Sequence, residues 1–283
     1  MGRSRGDLRF HRLLTREVCD LAYDSAGRSI VTEEDLVAGF RAIGAEPGDL
    51  LQVHSSLSSL GYVEGGAEAV VAALLEAIGP EGTLMVPTFN HQARRAFEDD
   101  REIFDLQTTR SINGAITEAV RLHPEAHRSL HPTHPYAAIG PKARWLTSEH
   151  LEVRTFGDES PLGKLVRHDG KIMMLGVGMN SCTAAHVAET RAEARCMGYR
   201  QLVRKLRLPD GRVIDARSVL WRGEGDCRVE WQPIEGAMRE RRLIFDRLIG
   251  DAHVKLFDGA EMVQTTFELC LERCPRCPVR PRD

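Results

Sequence analysis

The sequence of 283 residues has no long apolar run and no excess of basic residues. No segment approaches the ~18 uninterrupted apolar residues that a membrane helix requires, so we expect no membrane-spanning segment. The formal net charge is −3, and the chain therefore lacks the basic footprint of a nucleic-acid-binding protein. The opening stretch, MGRSRGDLRFHRLLTREVCD, contains no apolar core of a secretory signal, and we expect a cytoplasmic protein.

Cysteine occurs an odd number of times, seven, and most of these residues are scattered along the chain. Without a predicted export signal, free thiols are expected rather than a disulfide framework. The last three cysteines follow a C-x3-C-x2-C spacing and could bind zinc only with a fourth ligand; the alternative is a loose basic tail. These three are Cys270, Cys274 and Cys277. We expect no metal.

Three common site motifs are also missing: a strict P-loop, a complete GxGxxG dinucleotide fingerprint and a GxSxG nucleophile elbow. What the sequence does contain is a β–α–β pattern that begins after a capping box, Thr32-x-x-Asp35. LLQVH (50–54) and TLMVP (83–87) are predicted strands, and the helix between them, 67–78, repeats its apolar residues at helical spacing. Such a unit predicts a parallel strand pair with a right-handed crossover.

The rest of the chain continues in the same alternating way. The predicted elements are helices at 113–122 and 144–150, a strand at 171–175, a hairpin around Asp210-Gly211, a helix at 233–249, a strand at 253–257 and a helix at 260–273. We expect residues 1–30 to form an N-terminal arm. Residues 31–283 are predicted to form a single α/β domain with a central mixed, mostly parallel sheet flanked by helices and an inserted β-hairpin.

Three stretches contain residues that can carry chemistry. His54 to Gly66 (HSSLSSLGYVEGG) places two glycines before a helix, which suits a phosphate group; the alternative is a loop whose serines cap the helix. In HPTHPY, His131 and His134 each precede proline and lie in extended backbone, so a cleft-lining loop is favoured over a metal site. In GVGMNSCTAAHVAE, His186 and Glu189 share a helix face directly after a strand. A lone helical histidine is usually structural, but this position after a strand favours a functional one.

The order of five blocks resembles the aminoglycoside 3-N-acetyltransferase family, also called antibiotic N-acetyltransferases. The blocks are VHSSLSSLGYVEGG, GPEGTLMVPTFN, HPTHPYAAIG, FGDESPLGKL and GKIMMLGVGMNSCTAAHVAE, and the resemblance covers roughly residues 35 to 275. It implies an α/β fold unlike that of GNAT acetyltransferases. It also implies transfer of an acetyl group from acetyl-CoA to the 3-amino group of a 2-deoxystreptamine aminoglycoside, which gives antibiotic resistance.

The resemblance also implies site residues. His186 and Glu189 belong to the family's T-x-x-H-x-x-E motif, and Asp226, in LWRGEGDC, is the candidate downstream acid. Residues expected to bind acetyl-CoA are His54, Ser55, Ser56, Leu57, Val63, Gly65, Gly66, Ala67 and Thr88. Residues expected to bind the cationic amine are Glu224, Asp99, Asp100, Glu102 and His131. The sequence departs from many members in carrying Met179 after GVG, where they have Asp or His.

Histidine suits the predicted reaction because a protonated amine cannot attack a thioester and histidine takes up a proton near neutral pH. A carboxylate such as Asp226 on the far ring nitrogen would fix the tautomer, and transfer would be direct within a ternary complex. Cys182 is a rival nucleophile. Two alternatives remain: an acetyltransferase for another natural-product amine, and a catalytically silent CoA-binding protein. We expect a monomer or a homodimer.

Overall fold

The computed structural model describes residues 22–90, 103–194, 201–219 and 231–276. Its centre is a seven-stranded sheet with helices on both faces. Along the chain the strands of this sheet are β2 (Leu50–Ser55), β4 (Thr83–Pro87), β6 (His127–Arg128), β7 (Tyr136–Ile139), β8 (Lys171–Leu175), β11 (Phe245–Ile249) and β12 (Ala252–Asp258). The helices are α1 (Glu33–Ile43), α2 (Gly66–Ile78), α3 (Ala115–Leu122), α4 (Ala143–Thr147), α5 (Pro161–Arg167), α6 (Ala185–Arg191), α7 (Trp231–Glu240) and α8 (Gly259–Arg273).

The strand order across the sheet is β11-β12-β8-β2-β4-β7-β6. β2 runs parallel to both β4 and β8, which confirms the predicted β–α–β unit. The other four pairs are antiparallel, so the prediction of a mostly parallel sheet is wrong. The reason is that both flanks of the sheet are built without crossover helices: β6 and β7, and likewise β11 and β12, follow each other closely in sequence and pair as antiparallel neighbours.

The helix expected at 233–249 is also wrong in its second half, because α7 ends at Glu240 and Phe245–Ile249 is strand β11. Arg242 adopts a left-handed conformation at φ 58°, and the Leu243 N–H donates to the Met238 carbonyl, which ends the helix. β11 then pairs with β12 across the turn at Gly250. Pairing with a neighbouring strand has therefore overridden a helical apolar period.

The first predicted helix begins as expected. The Thr32 side chain accepts the Asp35 N–H, and the Asp35 carboxylate accepts the Thr32 N–H, which is a complete capping box. Gly44 ends the helix in a left-handed conformation.

Two apolar cores lie on opposite faces of the sheet. One core contains α1, α2 and α3 together with the sheet residues Leu51, Val53, Leu84, Val86, Ala137, Met173 and Leu175. The other contains α5, α6 and α8 together with Leu50, Met85, Tyr136, Ala138, Ile172 and Met174. Successive residues of a strand point to opposite faces, so Gln52 and His54 of β2 share the second face. This face, which carries α6, is the one that contains polar side chains in mid-sheet.

The antiparallel pair β9 (Gln201–Arg207) and β10 (Val213–Val219) is joined to β5 (Ile103–Asp105) in a separate three-stranded sheet. Phe104, Leu206 and Ala216 form its small core. Near the chain start, β1 (Ile30–Val31) pairs with β3 (Tyr62–Val63), and the Ser29 hydroxyl donates to Asp251. Among the residues that the structure describes, no helix has the length and apolar character to cross a membrane.

Candidate active site

The three parallel strands end at one edge of the sheet, with Ser55, Pro87 and Leu175 as their last residues. The carboxyl ends of parallel strands are where open α/β sheets place their ligands. The chain leaves β8 through Gly176, whose φ is 69° and whose added Cβ would lie 2.5 Å from Ser59 Cβ, so only glycine fits this turn. It then enters a short 3₁₀ turn and α6, which brings the predicted histidine to the same edge.

His186 and Glu189 lie one turn apart on α6 and are in direct contact. The distance between His186 Nδ1 and Glu189 Oε2 is 2.7 Å, and the two side chains are 11% and 3% exposed. Because a carboxylate only accepts, Nδ1 carries the hydrogen in this contact and Nε2 is the nitrogen suited to accept a proton. The Phe156 ring packs against the imidazole, with ring centroids 5.1 Å apart. The spacing of three residues read from the sequence therefore becomes a buried histidine–carboxylate pair.

A second histidine, His54 near the end of β2, lies close to His186. Its Nε2 accepts the Thr183 N–H at 3.4 Å. The imidazole is almost fully buried, and this burial, with the nearby His186 as a secondary cause, lowers the pKa of His54 to about 3. His54 is therefore neutral near pH 7 and acts as an acceptor toward Thr183.

An open cleft of about 650 Å³ lies beside the N-terminal ends of α2 and α3. It is lined by Ser55, Ser56, Leu57, Ser58, Gly61, Tyr62, Val63, Gly66, Ile112, Asn113, Gly114 and Ala115. A smaller cavity of about 180 Å³ adjoins it and is lined by His54, Ser55, Pro87, Asn113, Thr117, Val177, Ser181 and Thr183. Ser55 and Asn113 line both spaces, so the cleft and the cavity meet at the end of β2.

Most residues predicted to bind acetyl-CoA lie at this cleft. Ser55, Ser56, Leu57, Val63 and Gly66 line it directly. Gly65 is the residue before α2, with φ 76°, and Ala67 is buried in the first turn of that helix. His54 lines the smaller cavity instead.

Thr88 does not fit the prediction. Its side chain is fully buried, and its hydroxyl donates to the Pro135 carbonyl at 3.1 Å. The same oxygen accepts from Arg128 Nε at 3.1 Å, so Thr88 joins the end of β4 to the loops beside it. It lines neither the cleft nor the small cavity.

His131, expected to bind the amine, lies in the protein interior with 1% exposure. Its Nδ1 accepts the backbone N–H groups of Thr133 and His134, and Nε2 lies 3.2 Å from the Thr155 hydroxyl. The His131 and His150 rings stack at 4.5 Å. The HPTHPY loop bends at residues 132–134, where two N–H groups turn back onto His131 Nδ1, and its histidines are buried. Within the described ranges, no group of three or more His, Cys, Asp or Glu side chains could hold one metal ion.

Cys182, the rival nucleophile, is buried, and this burial raises the pKa of its thiol to about 12. A thiol that stays protonated at neutral pH is a poor nucleophile, so the structure argues against a covalent role. Met179 is also buried and packs in the core beside α6.

Several predicted residues lie outside the described ranges: Asp226, Glu224, Asp99, Asp100, Glu102 and Cys277. Within the described residues, Glu189 is a carboxylate in contact with His186 Nδ1. Sequence reasoning missed Gln52, Asn113, Tyr136 and Phe156. The signal available for Gln52 was an amide between the apolar residues Leu51 and Val53 of a buried strand.

Three kinds of comparison relate the chain to known proteins. The family model described as aminoglycoside 3-N-acetyltransferase matches residues 52–270. Aminoglycoside N(3)-acetyltransferase III from Serratia marcescens is 37% identical over 199 residues, which are 64% of this chain and 72% of that protein. A relative of the same name from Salmonella sp is 38% identical over 57% of this chain and 61% of its own length.

Solved structures agree with the sequence matches. The AAC-IIIb binary complex with CoASH has a TM-score of 0.77 at 27% identity and covers 87% of this chain and 98% of its own. AAC-VIa bound to sisomicin has a TM-score of 0.74 at 28% identity and covers 87% of this chain and 99% of its own.

Proposed function

This chain belongs to the aminoglycoside 3-N-acetyltransferase family and is an acyltransferase, and from that premise we propose its substrates and mechanism. We propose that it transfers the acetyl group of acetyl-CoA to the 3-amino group of 2-deoxystreptamine aminoglycosides and thereby gives antibiotic resistance. The observation that carries the mechanism is the buried His186–Glu189 contact of 2.7 Å at the carboxyl edge of the parallel strands.

His186 acts as the general base in this proposal. The amine must lose a proton as its lone pair attacks the thioester carbonyl, and Nε2 accepts that proton while Glu189 holds Nδ1–H. The carbon–nitrogen bond forms, the carbon–sulfur bond breaks, and the sulfur leaves as thiolate, which takes up a proton. Glu189 stabilises the imidazolium that forms in between. Such general-base help typically contributes about 10²–10⁴-fold.

The cleft fits acetyl-CoA as a second substrate. Its volume lies within the usual range of small-molecule sites, roughly 300–1,000 Å³. Gly65 and Gly66 have φ of 76° and 64°, and these left-handed conformations leave the N-terminal N–H groups of α2 open to a close approach. We assign the diphosphate to this turn and the thioester end to the region where the cleft meets the small cavity, at Ser55 and Asn113.

The amine substrate carries several ammonium groups. The side chains that line the cleft and the cavity carry no charge, because their one histidine, His54, is neutral. The proposal therefore assigns charge recognition to the carboxylates predicted from the sequence. These are Asp99, Asp100, Glu102, Glu224 and Asp226.

The test is acetyl transfer by the purified full chain. The reaction is monitored by the loss of thioester absorbance, because half-buried cysteines such as Cys270 and Cys274 would react with a thiol reagent. Sisomicin and gentamicin are the substrates, and sisomicin already acetylated at the 3-amine is the matched control. We expect turnover of the first two, no turnover of the third, and a product whose NMR spectrum places the acetyl group on N3. Absence of transfer to every aminoglycoside would reject the substrate assignment.

The direct-transfer mechanism has its own test. Initial rates measured over a grid of both substrate concentrations should give intersecting double-reciprocal lines, as a ternary complex requires. Parallel lines and an isolable acetylated protein would instead show a covalent intermediate. The resistance claim is tested by expression in a susceptible bacterium, where the His186→Ala variant at equal abundance should give no protection.

A further inference from the structure

We infer that Thr183 and Tyr136 are positioning residues, which hold the turn that carries His186 through hydrogen bonds to the Thr183 hydroxyl. This inference rests on the proposed role of His186. It concerns a cluster of four polar side chains. Gln52 and His54 lie on β2, Tyr136 lies on β7, and Thr183 lies just before α6.

The cluster is centred on one oxygen. Thr183 Oγ1 lies 3.2 Å from the Tyr136 hydroxyl, 3.4 Å from Gln52 Nε2 and 3.5 Å from His54 Nε2. The Thr183 N–H points to the same His54 nitrogen at 3.4 Å. These are long hydrogen bonds, but together they fix Thr183 from three directions.

The proton inventory of the cluster is consistent. A hydroxyl has one hydrogen to donate and two lone pairs to accept with. The Gln52 amide and the Tyr136 hydroxyl can donate to Thr183 Oγ1, and the Thr183 hydroxyl can donate to the neutral His54. All three capacities of the threonine oxygen can then be used at once, and the Thr183 hydroxyl and N–H share the single lone pair of His54 Nε2.

The burial of these groups shows that the cluster is costly to build. Tyr136 and Gln52 are completely buried, on the sheet face that otherwise consists of Leu50, Met85, Ala138, Ile172 and Met174. Polar groups in such surroundings cost free energy unless they are hydrogen-bonded. A phenylalanine and an aliphatic residue would fill the same places at less cost, so the hydroxyl and the amide have a use beyond packing.

That use follows from the shortness of α6. The helix has seven residues and no side-chain cap at its N-terminus. A helix of two turns has little stability of its own, so tertiary contacts must fix its position. The Thr183 carbonyl accepts the His186 N–H at 3.0 Å, which connects the clamped residue directly to the catalytic one. A rotation of this turn would move Nε2 of His186 away from the amine.

The decisive experiment compares Thr183→Val, Thr183→Ser and Tyr136→Phe with the control Thr266→Val. Thr266 is buried, whereas Thr183 is half-buried, and the Thr266 hydroxyl donates within its own helix to the Met262 carbonyl. Thr183→Val should lower kcat by about 10–10²-fold with KM for both substrates within about twofold, because a small misplacement of a catalytic group has that cost. Tyr136→Phe should show a smaller loss in kcat, Thr183→Ser should recover most of the rate, and Thr266→Val should lose stability alone.

A second readout does not depend on turnover. The Nδ1 proton of His186, bonded to Glu189 at 2.7 Å, should give a strongly downfield NMR signal that His186→Gln removes. In Thr183→Val this signal should shift or broaden, and in Thr266→Val it should stay unchanged. The inference is overturned if Thr183→Val keeps both the wild-type kcat and the wild-type signal. If the wild-type protein acetylates no amine at all, the proposed function fails. The NMR signal then still tests whether the Thr183 hydrogen bonds hold the turn that carries His186.

Discussion

The structure contains two groups of buried histidines that differ in what their ring nitrogens contact. His131, His134 and His150 lie together in the interior behind β7, whereas His54 and His186 lie at the carboxyl edge of the parallel strands. His150 represents the first group, and its two ring nitrogens contact neutral groups. His150 Nδ1 accepts from the Ser129 hydroxyl at 2.9 Å, and its Nε2 donates to the Thr155 carbonyl at 3.1 Å. In the second group, His186 has a carboxylate at Nδ1.

The difference supports the proposed role of His186 as a base. A ring held by a hydroxyl and a carbonyl is fixed as a neutral side chain, and burial lowers the pKa of His150 to about 3. A ring backed by a buried carboxylate has a partner for the positive charge it acquires. In the sequence, both groups lie in short stretches with two polar residues at close spacing. Only the environment of the ring in the folded protein distinguishes the two groups.

The sharpest way to break this comparison is to remove each imidazole in turn. His186→Gln should lower kcat/KM by about 10²–10⁴-fold, because the general base is lost, while the melting temperature changes little. Steady-state kinetics and thermal unfolding of the same preparation measure both. If the rate falls less than threefold, the two groups do not differ in function.

The carboxylate is the next largest effect. Glu189→Gln should reduce kcat by about 10–100-fold, with KM for acetyl-CoA unchanged, because the base remains but its tautomer and its imidazolium form lose the carboxylate. The isosteric amide keeps the packing but can present an N–H to Nδ1 and favour the wrong tautomer. Glu118→Gln is a suitable control, because Glu118 also accepts from its own helix, through Arg121, and that helix packs on the opposite face of the sheet from α6. An equal kinetic loss in both variants would contradict the role of Glu189.

Removing an interior histidine should have the opposite outcome. His150→Leu leaves the Ser129 hydroxyl and the Thr155 carbonyl without this partner, which should cost about 1–3 kcal/mol of unfolding free energy. The kcat of the folded protein should stay within twofold of wild type. Urea unfolding together with active-site titration separates the two quantities, and a lowered kcat at unchanged stability would place His150 in the site.

Acid should weaken the fold through both groups. The pKa values of His54 and His150 are lowered to about 3 by burial, whereas in the unfolded chain they are near ~6.5. Below pH 6.5 the unfolded state therefore binds more protons, and stability falls down to about pH 3 by roughly 1 kcal/mol per pH unit for each histidine. Above pH 6.5 they add no dependence. The slope of unfolding free energy against pH should be smaller in His150→Leu, and an unchanged slope would show that this ring is protonated in the native state.

The smallest effect is expected at the neighbouring thiol. Cys182→Ala should change kcat/KM less than twofold, because burial raises the pKa of the thiol to about 12 and keeps it protonated. Native protein at pH 8 should not be alkylated at this residue, as peptide mass mapping would show. Rapid alkylation with loss of activity would restore Cys182 as a candidate nucleophile.

The local features of the protein were readable from the sequence. Apolar periods located β2, α2, β4 and β8, the Thr32–Asp35 capping box located the start of α1, and helical spacing paired His186 with Glu189. These depend on residues a few positions apart, so the pattern contains the whole cause. The order of five blocks pointed to the family that the comparisons then showed.

What only the tertiary structure decided depends on residues distant in sequence. Residues 245–249 continue a helical apolar period, but antiparallel pairing with β12 makes them strand β11. His131, which the sequence analysis assigned to a cleft-lining loop, is buried behind β7. Thr183 meets Gln52, 131 residues away, and Tyr136, 47 residues away. No local propensity encodes such contacts, because the free energy that selects them arises only when the strands of the sheet have already come together.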